Sequence, residues 1–245
     1  MDHMLYVAMN GASQTMLAES ANDNNLANAD TVGFLGDLEA FRSMPVYGPG
    51  YPTRVYAMQE RAGVDFKPGI IRSTGRPLDV AINGNGFIAV QAPDGSEAYT
   101  RAGNLQISAN GMLTTGAGYP VIGNSGPIAI PPSQKITIGS DGTISVLPAG
   151  ETPDAIAVID RIKLVDPPVG SLVKGSDGLI RLQNGGSAPA DANVHLVTGS
   201  IESSNVNVVD AMVNMIALAR QFEMQVKMMH ATKQNDSSAA QLMTL

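Results

Sequence analysis

Hydrophobic and small residues recur at helical spacing at both ends of the chain. Between residues 4 and 28 they fall on one narrow stripe, which predicts a single amphipathic helix. A second stripe, between residues 208 and 243, advances in alternating steps of three and four, the spacing of a coiled coil. Its members are Met212, Met215, Ala219, Phe222, Val226, Met229, Lys233, Asp236, Ala240 and Met243. Asn205 and Asn207 can cap the start of this helix. Because a narrow stripe needs a partner helix to cover it, we predict that the two helices pair as a coiled-coil-like stem.

The pattern changes to short apolar runs in the middle of the chain. Residues 78–82, 87–90, 128–130 and 136–138 are such runs, and Gly, Pro, Asn and Asp residues separate them. This arrangement predicts consecutive β-hairpins. The predicted fold class is therefore mixed α and β, with long N- and C-terminal helices and an all-β, hairpin-built middle domain.

These patterns divide the chain into four segments. Residues 1–35 contain the N-terminal helix and a short motif after it, and residues 199–245 contain the C-terminal helix. Residues 69–198 form the β-rich domain. Residues 36–68 keep neither periodicity, so we predict an extended connector with one or two strands.

Composition excludes several classes of function. The 245 residues carry a formal charge of −7, and a chain of that sign repels a phosphate backbone, so nucleic acid is not an expected partner. Cysteine is absent, which rules out disulfides, thiolate nucleophiles and Cys-ligated metals. The N-terminus lacks the pattern of a cleaved Sec-type signal peptide, and no apolar window approaches the roughly 20 residues that cross a bilayer.

Candidate catalytic chemistry is weak throughout the sequence. Gly84, Gly86 and Ala89 fit a dinucleotide-binding pattern, but a predicted strand rather than a helix follows them, so we interpret the glycines as a hairpin turn. The histidines, His3, His195 and His230, are too widely spaced to suggest a metal site. The methionines at 212, 215, 224, 228, 229 and 243 are interpreted as ordinary helix packing rather than as an adaptable binding face. We therefore predict no enzymatic activity, no cofactor and no metal.

Three parts of the chain resemble a known family. The N-terminal part is Asn24 Asn25 Leu26 Ala27 Asn28, followed by Thr31, Gly33 and Phe34. The middle part is residues 74–87 followed by Tyr99 Thr100 Arg101 Ala102 Gly103. The C-terminal part comprises residues 201–207, 212–216 and 220–228. Together they resemble the bacterial flagellar axial proteins, and in particular the proximal rod proteins of the basal body. Leu35 Gly36 Asp37 departs from the family, whose members usually carry a basic residue there, and residues 44–61 match no known pattern.

The resemblance implies a structural subunit of the flagellar basal-body rod. Such a subunit polymerises through its terminal helices into the hollow drive shaft that transmits torque, with the β-rich domain facing outward. Its implied partners are other copies of itself, proximal and distal rod proteins, and the flagellar type III export apparatus, and its implied location is the periplasm-spanning rod, reached without a cleaved signal peptide. The implied assembly interface consists of Leu5, Ala8, Ala12, Met16, Asn24, Asn25, Leu26, Asn28, Met212, Met215, Ala219, Phe222, Val226 and Met229.

Two alternatives remain open from the sequence. The first is a distal rod or hook-type member of the same family. The second belongs to another class, a secreted β-rich binding protein or enzyme with a coiled-coil oligomerisation tail. A pocket with convergent carboxylates and aromatic residues would favour the second, although aromatic residues make up only 4% of the chain.

Overall fold

The computed structural model describes residues 4–47, 54–148, 150 and 156–242, without the side chains of residues 61 and 62. Helix α1 is Met4–Ala27 and helix α2 is Val208–Leu242. Among the described residues between them lie sixteen strands and one short 3-10 helix, Val169–Ser171, so the predicted mixed α and β class is confirmed. His3 and Met243 lie outside the described residues. Along the described part of the chain, neither helix is long and apolar enough to cross a membrane.

The chain forms two compact units, which are named here for their main elements. The helical unit comprises Met1–Asn28, Asp37–Gly63 and Val206–Leu245, and the β unit comprises Ala29–Gly36 and Val64–Asn205. The helical unit contains both helices and most of a two-stranded sheet formed by β1, Asp37–Pro45, and β2, Val55–Val64. The predicted connector thus contains two strands.

Only one of the two residues predicted to cap the start of helix α2 does so. The Asn207 Oδ1 accepts a hydrogen bond from the Val209 N–H at 3.0 Å, as an N-cap does. Asn205 instead belongs to the β unit, where its Oδ1 accepts the Gly36 N–H at 2.8 Å and its Nδ2 donates to the Asp65 carbonyl at 2.7 Å. The prediction was therefore wrong for Asn205, because a long-range partner uses its side chain.

The β unit contains the remaining strands. In chain order they are β3 Ile71–Ser73, β4 Val80–Asn83, β5 Phe87–Gln91, β6 Glu97–Thr100, β7 Leu105–Ile107, β8 Leu113–Thr115, β9 Ser133–Ile138, β10 Thr143–Pro148, β11 Ala157–Arg161, β12 Leu164–Val165, β13 Leu172–Lys174, β14 Ile180–Leu182, β15 His195–Thr198 and β16 Ser200–Glu202. One sheet has the order β12-β5-β6-β14-β13 and another the order β11-β10-β9; the pairs β15-β4, β16-β3 and β7-β8 complete the unit.

The last strands of the β unit pair with its first ones. Strand β15 lies antiparallel to β4, with Thr198 opposite Val80, and β16 lies antiparallel to β3, with Glu202 opposite Ile71. These pairings join segments that lie far apart in the sequence. The β unit is therefore closed by its own C-terminal end.

Two hydrophobic cores flank strand β5. Successive side chains of a strand point to opposite faces, so Ile88 and Val90 enter one core while Phe87 and Ala89 enter the other. All four are buried. This explains why the run at 87–90 is continuously apolar rather than alternating.

Candidate assembly interface

Small residues on α1 form the face that meets α2. Ala8, Ala12, Thr15 and Ala18 are buried and recur at helical spacing. Gly11 lies on the same face, where a Cβ would come within 2.9 Å of the end of the flexible Gln225 side chain, which would have to shift. Small side chains allow two helices to approach closely, and this face is accordingly the one that α2 covers.

The two helices run in opposite directions. The Asn22 Nδ2, near the end of α1, donates to the Ala211 carbonyl at 2.9 Å, near the start of α2. Gly11 faces Gln225, and Leu5 lines a shallow depression together with Val226 and neighbouring residues of α2. Residues earlier in α1 thus meet residues later in α2, as in an antiparallel pair.

Two buried threonines in this contact satisfy their own hydroxyl groups. The Thr15 Oγ1 donates to the Gly11 carbonyl at 2.9 Å, and the Thr232 Oγ1 donates to the Met228 carbonyl at the same distance. A threonine four residues after its acceptor can bond back to the helix in this way. Neither hydroxyl therefore leaves an unpaired polar group between the helices.

The asparagine motif at the C-terminal end of α1 positions the two-stranded sheet. The Asn25 Oδ1 accepts the Asp37 N–H at 2.9 Å, and the Asn25 Nδ2 donates to the Asp37 carbonyl at 2.9 Å. The Asn28 Nδ2 donates to the Asn24 carbonyl at 2.9 Å, which extends the end of the helix. The Gln14 Oε1 accepts the Gln59 N–H at 2.7 Å. Side-chain amides thus fasten both strands to α1.

The residues expected at the interface differ widely in exposure. Ala8 and Ala12 are buried between the helices. A half-buried group comprises Asn25, Leu26, Asn28, Met215, Phe222, Val226 and Met229. An exposed group comprises Leu5, Met16, Asn24, Met212 and Ala219.

The covered face of α2 is shifted relative to the predicted stripe. Its buried or half-buried residues include Ala211, Met215, Leu218, Phe222, Gln225, Met229, Thr232 and Asp236. Ala211 and Leu218 thus take the inner positions expected for Met212 and Ala219. Apolar residues occupy more than one side of α2, so their spacing alone could not select the covered side.

Both helices also carry large apolar side chains on the outside. On α2, Val209, Met212, Val213 and Ile216 are 67%, 48%, 60% and 54% exposed, and their spacing of i, i+3, i+4 and i+7 places them on one face. On α1, Tyr6, Met9, Met16 and Leu17 are exposed. We call the α2 set the outer stripe. Exposed apolar faces of this kind are typical of interaction surfaces.

A buried ion pair in the β unit was missed by the sequence analysis. The Arg101 Nε lies 2.9 Å from both carboxylate oxygens of Glu202, and the two side chains are only 2% and 1% exposed. The remaining guanidinium nitrogens donate to the Gly84 and Gly86 carbonyls at 2.8 Å. The Glu202 Oε1 also accepts the Gly69 N–H at 2.8 Å. Every part of this ion pair is therefore hydrogen-bonded, as buried charges require.

Gly33 of the N-terminal motif meets the same cluster. Its φ is +66°, its N–H donates to the Glu202 carbonyl at 2.8 Å, and a Cβ there would lie 2.3 Å from the Ala102 nitrogen. The three family-like parts of the sequence thus converge on one point of the β unit. Arg101 and Glu202 each lie within one of those family-like parts, which was the only hint in the sequence that they matter. Because they are 101 positions apart, no local pattern indicates that they form a pair.

Residues Leu35 and Tyr99 lie in the second core of the β unit. Leu35 belongs to the Leu35 Gly36 Asp37 segment, in which the resemblance implies a basic residue. It is buried, and its carbonyl accepts a hydrogen bond from the Lys174 Nζ at 2.6 Å. The Tyr99 hydroxyl accepts the Ala188 N–H at 2.6 Å, and burial raises the pKa of Tyr99 to about 12. These contacts stabilise the unit and offer no reactive group.

Gly84 and Gly86 lie in the turn between β4 and β5, as predicted. Gly84 and Gly86 have φ values of +91° and +118°, and strand β5 follows them directly. Within the described ranges, no cluster of three or more His, Asp and Glu side chains could hold a metal ion.

Comparison with known proteins identifies the family. Residues 81–146 match the family described as flagellar hook protein FlgE/F/G D1 domain, and residues 197–242 match the flagellar basal body rod FlgEFG protein C-terminal family. The chain is 43% identical to flagellar basal-body rod protein FlgF of Salmonella typhimurium and 44% identical to FlgF of Escherichia coli, in each case over the full length of both chains. It is 32% identical to flagellar basal-body rod protein FlgG of Bacillus subtilis, over 91% of this chain and 92% of the relative. These similarities leave no support for the alternative of a secreted binding protein or enzyme. The chain belongs to the family of bacterial flagellar basal-body rod proteins, most like FlgF, and is a structural rod subunit rather than an enzyme.

Proposed function

We propose that this subunit polymerises through its two terminal helices into the proximal part of the hollow rod that transmits torque. The main support for this proposal is the outer stripe of α2, whose apolar side chains remain exposed although α1 already covers the opposite side of that helix. Helix α1 adds exposed apolar residues of its own. In this proposal the inner faces form a coiled-coil-like stem within one subunit, and the outer faces join neighbouring subunits.

The lengths of the helices support a contact beyond one chain. Helix α2 has 35 residues and α1 has 24, so their lengths are about 52 Å and 36 Å. Residues 237–242 are exposed, as expected where α2 extends past the start of its partner. The end of α2 thus offers a further helical surface to a neighbour.

Burial of the outer stripe would supply a substantial driving force. Full burial of one Val, Ile or Met side chain contributes about 1.5–3 kcal/mol. Val209, Met212, Val213 and Ile216 each retain about half or more of their exposed surface. Together with the exposed residues of α1, they provide apolar surface whose burial favours association and opposes the cost of lost translational and side-chain freedom.

The partners and route in this proposal follow from the family. Other copies of the chain and the proximal and distal rod proteins supply the facing helices, and the flagellar type III export apparatus delivers the subunit to the basal body. The fourteen residues expected at the interface then have two roles. Ala8 and Ala12 hold the helix pair together, while exposed members such as Met16 and Met212 contact neighbouring subunits.

A matched pair of substitutions tests the role of the outer stripe. Val213 on α2 is 60% exposed and Val173 on β13 of the β unit is 50% exposed, so Val213→Asp and Val173→Asp make the same change at similar exposure. Each variant would replace the wild-type chain in a flagellated cell that lacks its own copy. We expect Val213→Asp to stop assembly beyond the proximal basal body, whereas Val173→Asp should support flagella.

Electron microscopy of basal bodies and a swimming assay give the readout, at protein levels matched by immunoblot. Circular dichroism of each purified variant checks that the chain is folded. Normal flagella with Val213→Asp would show that the outer stripe is not an assembly surface. Equal loss with both variants would show that the effect is not specific to the outer stripe and would likewise contradict the proposal.

A further inference from the structure

Methionine is distributed very unevenly between the two units. Among the described residues, the β unit contains a single methionine, Met112. Its two hydrophobic cores consist of Ile, Val, Leu, Ala, Phe and Tyr. The helical unit contains the other described methionines, which are Met4, Met9, Met16, Met44, Met58, Met212, Met215, Met224, Met228 and Met229. The thioether groups are thus concentrated in the part of the chain that contains the proposed interface.

Most of these thioethers are on the surface of the subunit. Met9, Met16, Met212 and Met224 are 54%, 57%, 48% and 60% exposed, and Met228 is 41% exposed. Packing within one chain therefore does not cover these methionines, whereas Met215 and Met229, which were also interpreted as helix packing, are half-buried. Met112 in the β unit is half-buried.

Methionine is also the only sulfur-containing residue in the protein, because the chain has no cysteine. A two-electron oxidant such as hypochlorous acid converts a thioether to a sulfoxide. The sulfur loses two electrons, a sulfur–oxygen bond forms, the oxygen–chlorine bond of the oxidant breaks, and chloride and a proton are released. The product is a polar, chiral side chain in place of a flexible apolar one, and sulfoxide reductases reverse the change.

We propose that Met9, Met16, Met212 and Met224 are oxidation sites at which such an oxidant reversibly blocks incorporation of the free subunit. This inference rests on the proposed function, because it needs the outer faces of the helices to be the assembly surface. Oxidation replaces apolar contact at that surface with a polar sulfoxide. An incorporated subunit buries the same sites and is protected, so the effect is confined to subunits that have not yet assembled.

The β unit should survive the same treatment. Its cores contain no methionine among the described residues, so oxidation creates no polar group within them. An oxidised subunit should therefore retain its β-sheet circular dichroism while it loses association. This separates a specific effect on the interface from general oxidative damage.

The first measurement maps the sites on the purified full-length chain. Hypochlorous acid is added in small molar excess, and sulfoxides are located by peptide mass spectrometry as a function of time. We expect the four helical methionines to react several times faster than Met112. Equal or faster oxidation of Met112 would overturn the assignment of the sites.

The second measurement follows association by sedimentation velocity at increasing concentration. Untreated chain, oxidised chain and oxidised chain treated with methionine sulfoxide reductases are compared. A variant in which the four methionines are changed to Leu is compared with Met112→Leu as the matched control. We expect oxidation to abolish association of the wild type and of Met112→Leu, the reductases to restore it, and the fourfold Leu variant to associate with or without oxidant.

The outcomes separate the two ideas. If oxidised and untreated wild type associate equally, or if the fourfold variant is as sensitive as the wild type, the oxidation sites do not control assembly. If the fourfold variant fails to associate before treatment, the proposal is tested by the wild type alone. Loss of association on oxidation and its recovery after the reductases then support the proposal, and the absence of either contradicts it. If untreated wild type does not associate at all, self-assembly through the helices fails and the control of assembly fails with it, while the map of sites is decided separately by mass spectrometry.

Discussion

The substitution Glu202→Ala removes the carboxylate from the buried ion pair of the β unit. Arg101 would keep its hydrogen bonds to the Gly84 and Gly86 carbonyls, but its charge would lose the only carboxylate bonded to it in the described structure. The Gly69 N–H would lose its acceptor as well. Breaking a buried pair by removing one partner costs about 3–5 kcal/mol; the Gly69 N–H is only half-buried, so water can replace its lost acceptor. We therefore expect a loss of about 3–5 kcal/mol in the free energy of unfolding, a large fraction of the roughly 5–15 kcal/mol typical of a domain.

Urea titration followed by the β-sheet circular dichroism signal measures this loss, since the chain has no tryptophan to report by fluorescence. The control is Arg181→Met, which removes a partly exposed ion pair with Asp177 in the same unit and should cost about 1 kcal/mol or less. The double variant Arg101→Met with Glu202→Leu should cost less than the sum of the two single changes, because neither charge is then left unpaired. A loss with Glu202→Ala no larger than the control would refute the role assigned to the ion pair.

Three further changes test individual contacts. Gly33→Ala should cost more than about 1 kcal/mol in the same titration, because alanine is strained at φ +66° and its Cβ would meet backbone; an unchanged midpoint would contradict this. Asn25→Ala should lower the hydrogen-exchange protection of the Asp37 amide, whose acceptor it removes; unchanged protection would mean that another group holds β1. Burial raises the pKa of Tyr99 to about 12, so the unfolded chain releases this proton first and stability falls as pH rises from 10 towards 12. Tyr99→Phe should lose less stability over that range than the wild type, and an equal loss would assign the alkaline effect to other groups.

The ends of the chain were predictable because helical periodicity is local and persists over many residues. Both helices were placed to within about one residue, and the turn at Gly84 and Gly86 followed from residues next to one another. The choice between Ala211 and Met212 as the inner residue was not predictable, because it depends on which side of α2 the other helix covers. The covered side of α2 is known only once the two helices are packed together.

The long-range polar contacts were also not predictable from the sequence. Asn205 has the side chain of a helix cap, but its amide bonds to backbone groups near residues 36 and 65, far away in the sequence. Arg101 and Glu202 have no local partners that would indicate their burial. The sequence shows which polar side chains are present, but the distant hydrogen-bond partner of each is known only from the folded chain.

The pairing of β15 with β4 and of β16 with β3 also sets the order in which the subunit can fold. Residues 71–83 cannot complete their sheets until residues 195–202 are available, and Gly33 must wait for Glu202 as well. Contacts between such distant segments form slowly, because a long loop must close before they give any stability. Strands β3 and β4 therefore stay without these partners until the C-terminal end of the β unit is in place, whereas the hairpin of β5 and β6 can form earlier.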